Sequence, residues 1–257
     1  MDDKFVSFGL VDKVAVVTGP SQGIGRNLAM GLAEAGAHLV LVSRNRPALD
    51  EVATDIEELG RQVLVIPTDI SDISAVHNMA QQAQEFFGRI DILVNNAAWT
   101  ETTPALEVTE EQWDRTLDVS LKGVFFTCQA VGQYMVQQGS GKIINIGSTL
   151  GEVAFTERSV YAAAKAGVHQ LTRALAFEWA HHGVYVNAVA PCITETTTRR
   201  QLMERPGYKE WATGQMLPIR RWAQPDDMLG AVLFLASSLS NMVVGHVLMV
   251  DGGWTIH

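Results

Sequence analysis

Short runs of apolar, mostly β-branched residues recur along the chain, and segments with helical spacing lie between them. Such runs are typical of strands buried on both faces, and their alternation with helices predicts a parallel sheet with helices on both sides. The sequence therefore predicts a doubly wound α/β fold. About seven strands are expected, at Val14–Thr18, Leu39–Val42, Val63–Ile66, Ile92–Val94, Ile143–Ile146, Val184–Ala188 and Val247–Val250. Two of the helices are expected at Ile24–Ala35 and Asp226–Ala236.

The domain organisation follows from the regularity of this pattern. No internal repeat, low-complexity tract or linker interrupts it, so residues 1–257 are predicted to form a single dinucleotide-binding and catalytic domain. The least regular region is 192–217, which is rich in Thr, Arg and Met. It is predicted either as a substrate lid at the ligand end of the sheet or as an ordinary surface excursion.

Composition excludes several classes of function. A net charge of −9 repels phosphate backbones and anionic lipid, so neither nucleic acid nor a membrane is an expected partner. The start Met1-Asp2-Asp3-Lys4 does not resemble a signal peptide, and Cys128 and Cys192 do not resemble a disulfide framework, which predicts a cytoplasmic protein. No cluster of His, Cys and carboxylates has ligand spacing, so no catalytic metal is predicted.

A glycine-rich turn follows the first predicted strand and opens a helix. Glycines let the backbone turn tightly and approach a pyrophosphate, while the helix that begins at Gly23 points its free N–H groups at the phosphate. This setting predicts a Rossmann-type dinucleotide site rather than a plain connecting turn. The turn residues expected to bind the cofactor are Gly19, Ser21, Gln22, Gly23, Ile24 and Gly25.

The end of the second strand predicts which dinucleotide binds. Folds that prefer NAD usually place a carboxylate here, whereas this chain has Ser43 followed by Arg44. An arginine can pair with a 2′-phosphate through charge-assisted hydrogen bonds, so NADP is favoured over NAD. The alternative is that Arg44 is an ordinary solvated loop residue.

Three side chains predict the catalytic chemistry. Tyr161 and Lys165 are four residues apart and therefore lie on one face of a helix, and Ser148 follows the fifth strand. A strand end and the next helix can bring these groups together at the carboxyl edge of the sheet. An ammonium beside a phenol stabilises the phenolate, so Tyr161 can exchange a proton with the substrate. Ser148 can donate a hydrogen bond to the substrate oxygen where charge develops.

Together these motifs resemble the short-chain dehydrogenase/reductase family. The spacing Thr18-Gly19-x-x-x-Gly23-x-Gly25, the Tyr161-x-x-x-Lys165 pair with Ser148, and the closing Asp251-Gly252-Gly253-Trp254 carry the resemblance over nearly the whole chain. The resemblance implies that both Tyr161 and Lys165 also contact the cofactor. Further residues that it places at the cofactor are Asp69 at the adenine with Ile70 beside it, the backbone of Asn96 and Ala97 at the ribose, and Pro191, Ile193 and Thr196 at the nicotinamide. The resemblance also implies that Asn96 steadies the central sheet.

The chain departs from the family pattern at several positions. Ser120 stands where family members usually have an Asn that holds a proton-relay water, and Cys192 replaces a glycine beside the nicotinamide. Gln22 stands where members that prefer NADP often carry a basic residue. Ser120 is kept as a fourth catalytic candidate because serine also donates and accepts hydrogen bonds.

The resulting hypothesis is an NAD(P)-dependent oxidoreductase that interconverts a secondary alcohol and its ketone, with a sugar, polyol or hydroxy acid as substrate. Residues expected to border the substrate are Trp99, Glu152, Phe155 and Arg158. One alternative is a 3-oxoacyl carrier-protein reductase, which the neutral Gln137, Gln138 and Phe177 disfavour because an acidic carrier needs a basic surface. The other is a catalytically silent nucleotide-binding module. By resemblance the protein is expected to be a homotetramer.

Overall fold

The computed structural model describes residues 8–196 and 206–256. The strands of this part of the chain are β1 (Val14–Thr18), β2 (His38–Ser43), β3 (Val63–Pro67), β4 (Ile92–Asn95), β5 (Gly141–Ile146), β6 (Val184–Pro191) and β7 (Val247–Val250). They form one seven-stranded sheet in the order β3-β2-β1-β4-β5-β6-β7. Every neighbouring pair is parallel.

Helices cover both faces of this sheet. They are α1 (Gly23–Glu34), α2 (Arg46–Glu58), α3 (Ile73–Phe87), α4 (Glu110–Leu117), α5 (Gly123–Gln138), α6 (Ser159–Trp179), α7 (Tyr208–Trp211) and α8 (Leu229–Ala236). Buried residues of α1, α2 and α8 pack on one face, and those of α3, α5 and α6 pack on the other. The predicted doubly wound, Rossmann-type architecture is confirmed.

Burial on both faces explains why the strands read as continuous apolar runs. In β1, Ala15 and Val17 contact the first group of helices, whereas Val14 and Val16 contact the second, and all four are buried. Side chains alternate between the faces of a strand, so a strand covered on both sides needs an apolar residue at every position.

The predicted boundaries of the elements differ from the observed ones mainly at polar or helix-breaking residues. β5 begins at Gly141 and β6 continues to Pro191, because their backbones stay in register after the apolar run has ended. The helix predicted at Asp226–Ala236 is a 3₁₀ turn over Pro225–Met228 followed by α8. Proline is favoured in a first helical turn, where its missing N–H is not needed.

The topology fixes where a ligand can lie. The chain leaves β1 through α1 on one face and leaves β4 toward α5 on the other, and β1 and β4 are neighbours. Ligands of open α/β sheets bind in the crevice at the carboxyl ends of such strands. Among the described residues, no helix is both long and apolar enough to cross a bilayer.

Candidate active site

The turn between β1 and α1 is built around glycines that leave no space for side chains. A Cβ on Gly25 would lie 2.1 Å from the carbonyl oxygen of Gly19, and Gly23 has a left-handed φ of 56°. Within the described residues, the Gln22 side chain makes no capping bond to α1. The first amides of the helix therefore remain available to an anionic ligand.

The turn after β4 is tied to this glycine turn by hydrogen bonds. The Asn96 side chain donates to the carbonyl oxygens of Thr18 (3.1 Å) and Gly19 (2.9 Å). In return, Thr18 Oγ1 accepts the backbone amides of Asn96 and Ala97, each at 3.0 Å. The two turns thus form one rigid floor, and Asn96 holds it together.

A cavity of about 1120 Å³ opens above this floor. It is lined by predicted site residues from almost every part of the chain: Gly19, Ser21, Gln22, Gly23, Ile24, Gly25, Ser43, Arg44, Asp69, Ile70, Asn96, Ala97, Ser148, Tyr161, Lys165, Pro191 and Thr196. Such a volume is large enough for a dinucleotide. Its wall is continuous from the end of β2 to the end of β6.

Opposite charges meet at the end of the cavity near β2. Arg44 Nη1 lies 3.6 Å from Asp69 Oδ2, and Asp69 Oδ1 accepts hydrogen bonds from the Ser71 amide (3.0 Å) and hydroxyl (2.7 Å). Burial acts to raise the pKa of Asp69, but the Ser71 hydrogen bonds and the Arg44 guanidinium outweigh it and leave the pKa below its ordinary value. Arg44 is 60% exposed and lines the cavity, so its guanidinium can reach a ligand phosphate.

The three predicted catalytic side chains converge at the other end. Lys165 is 2% exposed, and its ammonium donates to the carbonyl oxygen of Ile146 at 2.6 Å. It also lies 5.7 Å from the centre of the Tyr161 ring, on the same face of α6. Ser148 caps the short turn Thr149–Gly151, because its hydroxyl oxygen accepts the Leu150 amide at 3.1 Å. The hydroxyl hydrogen of Ser148 remains available to a substrate oxygen.

Ser120 is placed differently. It is fully buried in a π-helical turn, Asp118–Lys122, between α4 and α5. Its hydroxyl accepts the Trp99 amide (2.9 Å) and donates to the Trp99 carbonyl oxygen (2.8 Å). It is not among the residues that line the cavity in the described part of the chain. Ser120 thus fixes the loop after β4, and its part in a proton relay stays a prediction.

A smaller cavity of about 220 Å³ adjoins the large one, and Ser148 and Tyr161 line both. Its aromatic wall consists of Phe155, Tyr208, Trp211 and Trp254. Phe155 is central to this wall, since its ring centre lies 5.7 Å from that of Trp211 and 5.9 Å from that of Trp254. Tyr208 and Trp211 were not predicted as site residues, and Trp254 was predicted only as part of the closing motif that carries the resemblance, because nothing in their spacing relates them to the catalytic helix.

The residues predicted to border the substrate fall into two groups. Arg158 lines both cavities and donates to the Thr100 hydroxyl (2.9 Å) and the Glu101 carbonyl oxygen (3.1 Å). Phe155 lines the small cavity, and Trp99 lines the large one. Glu152 lines neither in the described structure and instead contacts His169, a residue that the sequence analysis did not single out.

Both cysteines are free thiols. Cys192 lines both cavities but is only 9% exposed, and burial, assisted by the nearby Asp251, raises the pKa of its thiol to about 11. Ile193, predicted at the nicotinamide, lines the small cavity rather than the large one. The neutral Cys192 thiol therefore acts as an apolar wall residue.

Comparison with known proteins places this geometry in a family. The family model described as enoyl-(acyl carrier protein) reductase matches residues 19–255. A 2-dehydro-3-deoxy-D-gluconate 5-dehydrogenase of Escherichia coli K12 is 40% identical over 96% of this chain and 97% of its own. The chain belongs to the short-chain dehydrogenase/reductase family. A gluconate 5-dehydrogenase of Gluconobacter oxydans is 37% identical over 97% of both chains.

A solved member of the family has the same fold. The structure of a gluconate 5-dehydrogenase from Burkholderia cenocepacia, in complex with NADP and tartrate, is 37% identical, covers 98% of both chains and superposes with a TM-score of 0.94. The resemblance inferred from the motifs and the prediction of a dehydrogenase/reductase enzyme are thereby confirmed.

Proposed function

We propose that this protein is an NADP-preferring dehydrogenase that interconverts a secondary alcohol of a sugar acid, sugar or polyol and the corresponding ketone. The observation that carries the proposal is the position of Ser148 and Tyr161 at the junction of the two cavities, with Lys165 behind them. A substrate carbon in the small cavity would then face a cofactor in the large one, with the two hydroxyl groups beside its oxygen.

The proposed reaction assigns one role to each side chain. In the oxidation direction, the Tyr161 phenolate takes the proton of the substrate hydroxyl while the Ser148 hydroxyl donates a hydrogen bond to the same oxygen. The Lys165 ammonium stabilises the phenolate electrostatically and is held in place by Ile146. A bound nicotinamide supplies the acceptor for the hydride that leaves the carbon.

The large cavity fits a nicotinamide dinucleotide. The Gly19–Gly25 turn would hold the pyrophosphate at the first amides of α1, which the Gln22 side chain does not cap. The path of this turn requires that residue 25 has no side chain, because a Cβ there would lie 2.1 Å from the Gly19 carbonyl oxygen. Arg44 would pair with a 2′-phosphate and so favour NADP, and related structures contain NADP. The family also includes a glycerol dehydrogenase named as NAD-dependent, so Arg44 is the residue on which our choice of NADP rests.

The small cavity fits a polyhydroxylated substrate. Aromatic faces such as those of Phe155 and Trp254 pack against the C–H faces of sugars, and Arg158 supplies hydrogen-bond donors at the rim. Relatives are named for gluconate derivatives, galactitol and D-threitol, all of which carry secondary hydroxyl groups. These names favour an alcohol substrate over an acyl carrier protein.

Region 192–217 is proposed to be the substrate lid. Residues 197–205 lie outside the described residues, but Cys192, Ile193, Tyr208 and Trp211 from its two ends line the small cavity.

We further infer that the protein is a cytoplasmic homotetramer. Its support is the acidic composition, the two free thiols, and the exposed Phe177 on α6.

Turnover measurements test the proposed function. Formation of reduced cofactor is followed with NADP and NAD separately, on gluconate, galactitol, threitol and glycerol. Tyr161→Phe should lower kcat by about 10²–10⁴-fold, because it removes the proton acceptor. The matched control is Tyr185→Phe, since Tyr185 lies on β6 beside Lys142 and away from both cavities. Cofactor binding without turnover on any alcohol would instead support a silent nucleotide-binding module.

A further inference from the structure

His169 is a buried titratable residue that the proposed reaction does not use. It lies on α6 one turn beyond Lys165 and two turns beyond Tyr161, so the three side chains share one face of the helix. Its side chain is 1% exposed. A buried imidazole needs hydrogen-bond partners, and those partners show what His169 does.

The imidazole fills the space between two glycines that flank Ser148. A Cβ on Gly147 would lie 2.4 Å from His169 Nε2, and a Cβ on Gly151 would lie 2.5 Å from His169 Cε1. The backbone of this segment is also fixed by hydrogen bonds from the Gly147 amide to Val189 (2.7 Å) and from the Gly151 amide to Ser148 (2.9 Å). The ring therefore packs directly against the loop that carries the Ser148 hydroxyl.

The hydrogen bonds of His169 define its tautomer. Nε2 faces the backbone amide of Ser148 at 3.5 Å, a long hydrogen bond, and Nδ1 lies 3.0 Å from Glu152 Oε1. An amide N–H can only donate, so Nε2 must be the acceptor. Nδ1 then carries the hydrogen and donates it to the Glu152 carboxylate. Arg173 Nη2 lies 3.7 Å from the same carboxylate oxygen and helps to hold it.

We propose that His169 is a positioning residue for catalysis: its neutral imidazole, anchored by Glu152, fixes the backbone of Ser148 so that the serine hydroxyl faces the substrate oxygen. This inference rests on the proposed role of Ser148. His169 itself touches neither cavity in the described structure, so it acts through the loop and not on the substrate.

The surroundings keep the imidazole neutral. Burial, together with the positive charges of Lys165 and Arg173, lowers the pKa of His169 below its ordinary value, and the Glu152 carboxylate opposes this only in part. Protonation would place a hydrogen on Nε2 directly opposite the Ser148 N–H. Two donors would then face each other, and the loop would have to move.

Two substitutions separate the hydrogen bonds from the packing. Gln at 169 keeps an acceptor near the position of Nε2, whereas Phe fills the space without any polar atom. His169→Phe should lower kcat by about 10–100-fold, because a small displacement of a catalytic group is enough to cause such a loss. His169→Gln should recover most of that loss. In both variants the Kd of NADPH should change by less than about twofold, since His169 does not line the cavity in which the cofactor is proposed to bind. His181→Gln is the matched control, because His181 is exposed in the 3₁₀ turn Ala180–His182 that follows α6.

The readouts distinguish this inference from the proposed function. Wild-type kcat in His169→Phe, or equal losses in the Phe and Gln variants, would overturn the positioning role, since packing alone would then explain the histidine. If the wild-type protein turns over no substrate, ¹⁵N NMR of the imidazoles still tests the tautomer. The signal that is lost in His169→Gln should be that of a neutral ring protonated on Nδ1. An Nε2–H tautomer would overturn the inference independently of activity.

Discussion

At the scale of single residues, our proposal of NADP depends on two charged side chains of the large cavity. Asp69 alone would repel a 2′-phosphate, but Arg44 lies 3.6 Å from its carboxylate and neutralises it. The same guanidinium can donate to a phosphate, so one arginine both removes a repulsion and supplies an attraction. Selectivity for NADP should therefore be concentrated in Arg44.

Arg44→Ala tests this selectivity. We expect kcat/KM with NADP to fall by about 10–100-fold, because a charge-assisted hydrogen bond is lost and Asp69 becomes unpaired. The value with NAD should change by less than about threefold, since its ribose carries no phosphate. Steady-state kinetics with both cofactors measure the effect. Arg61→Ala is the control. Arg61 lies just before β3, at the amino ends of the strands, whereas Arg44 follows β2 at the carboxyl ends. Equal losses with NADP and NAD would show that Arg44 does not read the phosphate.

A further charged residue, Asp91, lies at the amino ends of β1 and β4, away from the cavity. It is 7% exposed and accepts hydrogen bonds from the Val14 amide (3.0 Å), Arg89 Nε (2.7 Å) and Lys13 Nζ (3.1 Å). Burial acts to raise the pKa of Asp91, but the bonds from Arg89, Val14 and Lys13 outweigh it and hold the pKa below its ordinary value. The native carboxylate thus binds fewer protons than the unfolded one.

It follows that Asp91 stabilises the fold above the unfolded-state pKa of about 3.9, and that this contribution is lost as pH falls through the lower native pKa. Asp91→Asn should lower the free energy of unfolding by about 1–3 kcal/mol at pH 7. The difference in the free energy of unfolding between the variant and the wild type should become smaller below a pH of about 4. Urea unfolding at several pH values measures this. A gap independent of pH would show that the charge of Asp91 does not contribute.

At the scale of elements, the site depends on how closely α1 approaches the turns after β1 and β4. Gly25 is in the first turn of α1, where a Cβ would lie 2.4 Å from Asn96 Nδ2 as well as close to Gly19. The Asn96 side chain can therefore tie the turn after β4 to the turn after β1 only because residue 25 of α1 has no side chain. Close packing of this kind tolerates no added methyl group without a backbone shift.

Gly25→Ala should accordingly lower the free energy of unfolding by about 1–3 kcal/mol, because the added methyl group does not fit. It should also weaken the binding of NADPH by at least about tenfold, because the turn must move away from the proposed pyrophosphate position. Gly230→Ala is the matched control. Gly230 is also helical, but apart from its own helix backbone and its two neighbours no atom of the described residues lies within 4 Å of an added Cβ, so alanine should stabilise α8 by about 0.5–1 kcal/mol. Thermal unfolding and fluorescence titration measure the two effects. A Gly25→Ala protein that binds NADPH normally would contradict the assigned packing.

The elements also show how much the sequence predicts. β1 and β7 match their predicted bounds because Thr18 and Val250 are each followed by a glycine-containing turn that ends the strand. Ser148, Tyr161 and Lys165 were predictable because strand order and helical spacing fix their relation. Tyr208 was not, since it reaches the small cavity through a segment without periodicity. The contact between His169 and Glu152 depends on loop geometry that no spacing encodes, although its helical interval from Lys165 was a usable signal.

At the scale of the whole molecule, the described surface includes large apolar side chains that are almost fully exposed. Phe177 is 90% exposed on α6, the helix that also carries Tyr161 and Lys165. β7 is an edge strand, and Met242 just before it is 96% exposed. Exposed groups of this kind often mark contacts between subunits. A net charge of −9 would otherwise keep the chains apart.

Phe177→Glu tests whether α6 forms a subunit contact. In a symmetric interface the same helix contributes from both subunits, so the substitution places two carboxylates close together in an apolar contact and should separate them. Light scattering after size exclusion should then show the wild type at four times the 28.0 kDa chain mass and the variant at half that value or less. Leu59→Glu, at the end of α2 where the side chain is 41% exposed, should leave the mass unchanged. A Phe177→Glu protein with the wild-type mass would place the subunit contacts elsewhere, and the β7 edge with Met242 would be the next apolar surface to test.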